Sequence, residues 1–149
     1  MRTKSILLAF IIGLPIMSFA QLSVTTTYNR ADTAVQVKFS NNSSNKAALV
    51  LNERTMYDGG SFCDVYFIGA KGDTLSWYRC GYVTSLDPTM RLVVIQPKQQ
   101  QNFTFKLARM RGDAVLKNTK KIKVHIRLKH TMEDIKIQKE IDYHRVFLL

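Results

Sequence analysis

Ser61 to Gly81 reads SFCDVYFIGAKGDTLSWYRCG, and these residues specify a hairpin, a register and a pair of facing cysteines together. Two runs of β-formers, FCDVYFI and TLSWYRC, flank Gly69-Ala70-Lys71-Gly72-Asp73, and a glycine-containing connection between such runs signals an antiparallel hairpin. The turn falls near Lys71-Gly72. With Ala70 opposite Asp73, Ile68 meets Leu75, Tyr66 meets Trp77 and Asp64 meets Arg79 on one face. On the other face Phe67 meets Ser76, Val65 meets Tyr78 and Cys63 meets Cys80. One register thus yields an opposite-charge pair, apolar pairs and a contact between the chain's two cysteines. Facing residues have Cβ atoms roughly 4.5–5.5 Å apart, somewhat more than a disulfide wants, so a non-hydrogen-bonded pair suits one. Export of the chain, argued next, favours a Cys63–Cys80 bridge over two buried thiols.

Residues 1–20 carry Arg2 and Lys4, an apolar run from Ile6 to Met17, and Ser18-Phe19-Ala20 before Gln21. That order is a secretory signal peptide with a small-residue cleavage site. The run is short for a bilayer span and Pro15 interrupts it, which leaves an uncleaved anchor as the lesser alternative. Cleavage leaves residues 21–149 as a single domain, periplasmic or secreted, with no membrane span. It also leaves 20 basic against 11 acidic side chains, a net charge of about +9.

Outside the cysteine hairpin the period-two signal recurs. Leu22, Val24, Thr26 and Tyr28 alternate with polar residues, as do Val35, Val37 and Phe39; pairing Tyr28 with Thr33 puts both apolar sets on one side. Asn41 to Asn45 is a polar turn, and Ala47 to Leu51 a short strand. Asn52 to Gly60 reads as a loop. Met90 to Gln96 and Phe103 to Leu107 form a third hairpin if Gln96 faces Gln101 across Pro97-Lys98-Gln99-Gln100. Ala108 to Lys120 has no period and reads as a mobile loop.

Lys121 to Lys129, KIKVHIRLK, sets Ile122, Val124, Ile126 and Leu128 against a basic outer stripe. A turn at Thr131-Met132 pairs Lys129 with Asp134, Lys123 with Glu140 and Lys121 with Asp142, neutralising most of that stripe. Seven or eight short strands, and no amphipathic helix after residue 20, specify an all-β fold: an immunoglobulin-like antiparallel β-sandwich.

Val37-Lys38-Phe39-Ser40-Asn41-Asn42-Ser43, the strand from Cys63 with Gly72-Asp73 and Leu75-Ser76-Trp77, and Val94-Ile95-Gln96-Pro97-Lys98-Gln99-Gln100 before an alternating strand carry a resemblance. The chain resembles bacterial immunoglobulin-like domains. Within them it is similar to the intracellular proteinase inhibitor domain of bacilli, the BsuPI type, over residues 35–107. The resemblance implies a β-sandwich and raises inhibition as an activity.

Catalysis finds no local motif: no nucleophile or carboxylate pair stands beside a base, so the chain reads as a non-enzyme without a cofactor. His125 on an outward strand position, His130 beside a turn and His144 near the C-terminus read as surface residues. With no C-x-x-C or H-E-x-x-H, no metal site is expected. Arg111-Gly112-Asp113 is better explained as a turn than as an integrin-recognition tripeptide. Nucleic-acid binding wants basic side chains interleaved with aromatics, whereas here the bases cluster in Lys106 to Lys129 and the aromatics in Tyr57 to Tyr82.

Binding to another macromolecule is what remains. Both faces of the cysteine hairpin are apolar and only one can face the core. The face with Asp64 and Arg79 is the better outward candidate, exposing Tyr66 and Trp77 beside a charge pair. The alternative is Trp77 in the core with the charge pair at its rim. The expected partner is a protein, or a glycan, of acidic character, steered by Arg109, Arg111, Lys117 and Lys120. A periplasmic inhibitor of a protease or toxin, entering an active site with Asn52 to Gly60 or Ala108 to Lys120, and a carbohydrate-binding module are the alternatives.

Overall fold

The computed structural model describes residues 21–50, 61–81, 92–107, 113–132 and 135–149. The expected signal peptide, the expected loop from Asn52 to Gly60, and Arg109 and Arg111 lie outside them. Among the described residues, nine strands and one short helix run in the order β1 (Leu22–Asn29), β2 (Ala34–Asn41), β3 (Ala47–Val50), β4 (Ser61–Ile68), β5 (Thr74–Gly81), β6 (Leu92–Ile95), β7 (Gln100–Lys106), α1 (Asp113–Asn118), β8 (Lys121–Met132) and β9 (Ile135–Leu148). The fold is all-β, with every described pairing antiparallel.

Two sheets share one core. The smaller has the order β1-β2-β7, and the larger runs β5-β4-β8-β3-β6 with β9 on the other edge of β8. β8 organises the larger sheet: its first half pairs with β4, its last residues pair with β3, and β9 follows it along nearly its whole length. Alternation does the sorting, since Ile122, Val124, Ile126 and Leu128 are buried while Lys121, Lys123 and Lys129 are exposed. Val35, Val37 and Phe39 on β2 and Val65 and Phe67 on β4 bury completely on the facing sides.

A β-bulge in β4 joins the sheets. Register slips between Ser61 and Cys63, so Phe62 and Cys63 are buried side by side. The Phe62 ring then reaches the smaller sheet, 5.9 Å from Phe39, 5.0 Å from Phe103 and 5.8 Å from Phe105 between ring centres, all edge-on. Along the other side β1 meets β9, with Tyr28 and Phe147 rings 6.1 Å apart and the Thr26 and Tyr143 hydroxyls 3.3 Å apart.

Several registers differ from the sequence expectation, by two residues in β1–β2, by six in β8–β9 and by one at the turn end of β4–β5. Tyr28 faces Val35 rather than Thr33. The cause is Asn29, whose side-chain carbonyl accepts from the amides of Ala31 and Asp32 and whose amide donates to Asp32, closing the turn one residue later. In β4–β5 the pairs from Cys63–Cys80 to Phe67–Ser76 are as expected, but a second slip sets Ile68 against Thr74 rather than Leu75. The Gly69 amide bonds to the Asp73 carbonyl and Gly72 takes φ 84°, which fixes that tighter turn.

The expected third hairpin does not form. β6 pairs with β3 in the larger sheet and β7 with β2 in the smaller, so Pro97-Lys98-Gln99 carries the chain between sheets. Asn41 holds this crossover. Its buried side-chain amide donates to the carbonyls of Asn45, Ile95 and Gln96, and its backbone amide to Gln99. The expected mobile loop at Ala108 to Lys120 contains α1, whose end is tied down by Thr119, with its hydroxyl on the Val115 carbonyl.

Candidate functional site

β4 and β5 turn Asp64, Tyr66, Trp77 and Arg79 to the outer face of the larger sheet, because Cys63, Val65 and Phe67 fill the core. Trp77 is 47% exposed, against complete burial for Val65. The Arg79 guanidinium lies 5.3 Å from the centre of the Trp77 ring and places Nε 3.3 Å from Asp64 Oδ1. Asp64 is nonetheless buried, flanked in the ladder by Arg79 on β5 and His125 on β8. Next along, Lys123 Nζ sits 5.7 Å over the Tyr66 ring.

Across β8 this face continues onto β9. Lys123 stands opposite Val146 and Lys121 opposite Leu148, and Leu75, Val146 and Leu148 are all exposed. Two aromatics and three aliphatics therefore share one outer surface with Arg79, Lys121 and Lys123. Lys120 is exposed at the end of that surface, its amide bonded to the Ile68 carbonyl. Lys117 is exposed on α1, and Arg109 and Arg111 belong to the undescribed residues.

The cysteines correct the expectation of a bridge. Cys63 and Cys80 face each other as buried thiols 4.1 Å apart, not as a disulfide. A hydrogen bond shared with Cys80, together with burial, pushes the Cys63 thiol well above its usual range. That is the environment of an inert structural thiol.

The last hairpin is where the sequence expectation departs furthest from the structure. Lys123 does not face Glu140, nor Lys121 Asp142; the strands are displaced by six residues, so Lys129 faces Glu140 and Arg127 faces Asp142. The displacement brings together three side chains not expected to meet. His125 and His144 lie directly opposite, with rings 4.0 Å apart and 17° from parallel, and both Nε2 atoms approach Asp142 Oδ1, at 2.8 and 3.2 Å. The hydrogen bond with His125 holds the Asp142 carboxyl below its ordinary value. Only the correct register could have revealed this cluster. His130, expected at the surface, is buried between β3 and β9.

No protein-family model matches the chain, and no curated protein matches it. Among solved structures it is similar to a crystal structure from Bordetella pertussis provisionally named ApaA, at 12% identity and a TM-score of 0.47, covering 86% of this chain and 91% of that one. A structural-genomics target, SoR45, is similar at 10% identity and a TM-score of 0.41, covering 84% of this chain and 81% of the other. Neither likeness says anything about what this chain binds.

Proposed function

We infer that this chain is an exported, non-enzymatic immunoglobulin-like module, and that the outer face of β5, β4, β8 and β9 docks an acidic protein partner. The observation that supports this most directly is Trp77, half exposed on a strand pair whose inner residues Cys63, Val65, Phe67 and Cys80 are buried, with Arg79 against its ring and Leu75, Val146 and Leu148 exposed on the same face. Large aromatics beside positioned cations give much contact area for little side-chain entropy. Arg79, Lys121 and Lys123, with Lys117 and Lys120 at the margin, favour an acidic partner and a salt-sensitive on-rate.

The resemblance to the BsuPI-type domain supports a second reading, in which the partner is a hydrolase and binding inhibits it. A glycan stacked on Trp77 is the third. The test recovers partners from the native periplasmic fraction, then compares wild type with Trp77→Ala for affinity and thermal melting. A hot-spot residue should cost about 2 kcal/mol, roughly thirtyfold in Kd, with Tm nearly unchanged because the side chain is half exposed. A variant that melts normally and keeps full affinity eliminates this face. Loss of a single hydrolase's activity on binding selects the inhibitor reading, and retention on an immobilised glycan selects the carbohydrate one.

A further inference from the structure

The geometry points to a surface site for a late first-row divalent cation, zinc, nickel or copper, formed by His125, His144 and Asp142. One ligand atom from each of the three lies within 4.8 Å of the others. A tetrahedral zinc with bonds of about 2.0–2.1 Å holds its donors about 3.3 Å apart. The two Nε2–Oδ1 separations, 2.8 and 3.2 Å, are already near that figure. Two imidazoles and one carboxylate form a donor set of intermediate softness, suited to zinc, nickel and copper and poorly suited to magnesium or calcium, which want oxygen ligands.

Placement on the sheet supplies the rigidity such a site needs. His125 lies at the middle of β8, hydrogen-bonded into ladders with β4 on one side and β9 on the other. Its side chain is only 16% exposed, so its ring has few alternatives. His144 is directly opposite, and Asp142 lies two residues along the same face of β9. His144 and Asp142 are about half exposed, which leaves outer coordination positions open to water or to a ligand atom from a docked molecule. Asp64 stands across from His125 on β4, with its carboxylate on Arg79.

Two features set the terms of binding. The rings are close to parallel, so a shared ion requires them to splay, a rotation open to the more exposed His144. Arg127 faces Asp142 across the ladder, and its positive charge, which already favours the ionised carboxylate, opposes a bound cation. Both lower affinity without changing selectivity among metals. The site borders the docking face around Trp77, one same-face pair along from Lys123 and Val146, but holding the ion needs no docked partner.

Tag-free protein is titrated with zinc, nickel and copper chlorides, using a competing chromophoric chelator, and melting is followed in parallel. Expected are one bound ion per chain, copper tighter than nickel or zinc, a rise in Tm with metal, and no response to magnesium or calcium. His144→Ala, at an exposed position, should lose at least tenfold in affinity and the Tm response while melting normally without metal. Asp142→Asn should lose less. Binding no tighter than about 1 mM, or binding unchanged in His144→Ala and therefore located elsewhere, overturns the proposal.

Discussion

β4–β5 and β8–β9 are both antiparallel hairpins of alternating sequence, but they are held in register by different means. In β4–β5 the determinants are local and do not repeat: the Gly69–Asp73 turn bond, Gly72 at positive φ, the bulge at Phe62, and the single pairs Asp64–Arg79 and Cys63–Cys80. A Cβ on Gly69 would stand 2.7 Å from Asp73 Oδ1, so even the turn's close approach belongs to particular residues. β8 repeats itself instead. Lys121, Lys123, His125, Arg127 and Lys129 alternate with aliphatics, and any even displacement presents the same two faces. Its register is set from outside, by β3 and β4 on one edge and by β1, which meets β9 through Tyr28–Phe147 and through Arg30, donating to the Leu148 carbonyl.

The largest test falls on the locally determined hairpin. Phe62→Ala removes the ring that the bulge carries into the facing sheet, among Phe39, Phe103 and Phe105. Denaturant unfolding should register a loss of about 3–5 kcal/mol. A loss under about 1 kcal/mol would mean that the bulge does not anchor β4, and the contrast between the two hairpins would lose its main support.

What the sequence made legible follows the same division. Alternation assigned the faces of β1, β2, β7 and β8 correctly, since burial of one face is strong and periodic, whereas in β4–β5, apolar on both faces, the Asp64–Arg79 pair was the signal for the outer one. Alternation could not assign registers in β1–β2 or β8–β9, because a slip of two or six residues leaves every side chain on its own side. β6 misled for another reason: Leu92 and Val94 are apolar yet half exposed, and the crossover held by Asn41 is a contact between residues far apart in sequence. Tyr66 and Trp77 could be found in the sequence because their hairpin is local. His125, Asp142 and His144 could not, because their meeting depends on register.

The second test concerns pH and the buried end of β8. His130 faces Leu49 on β3 and Lys139 on β9; burial, with Lys139 adding to it, lowers its pKa below the ordinary 6.5. The fold favours the neutral ring, so protons go preferentially to the unfolded chain. The contribution is complete above about pH 6.5 and drains away as pH falls through the folded-state pKa. Asp142 is also lowered, but from 3.8, so its contribution is lost only in stronger acid. Stability of His130→Gln, followed from about pH 7 to 5, should therefore slope less than that of the wild type, whatever its absolute level. Equal slopes would remove His130 from the account.

The smallest effect gives the sharpest reading of register. The structure sets Lys129 against Glu140 on the outer face and sets Lys123 against Val146, six residues away from the pairing that charge complementarity alone suggests. Exposed cross-strand pairs are worth only about 0.2–1 kcal/mol, so a single substitution at either lysine cannot tell register from a general loss of charge. A double-mutant cycle can, because it cancels everything except the coupling. At low salt, Lys129→Ala with Glu140→Ala should show coupling within that range, reduced by added salt, while Lys123→Ala with Glu140→Ala should be additive within about 0.3 kcal/mol. Coupling at Lys123 instead would undo the six-residue displacement, separate His125 from His144, and remove the cation site together with the observed register.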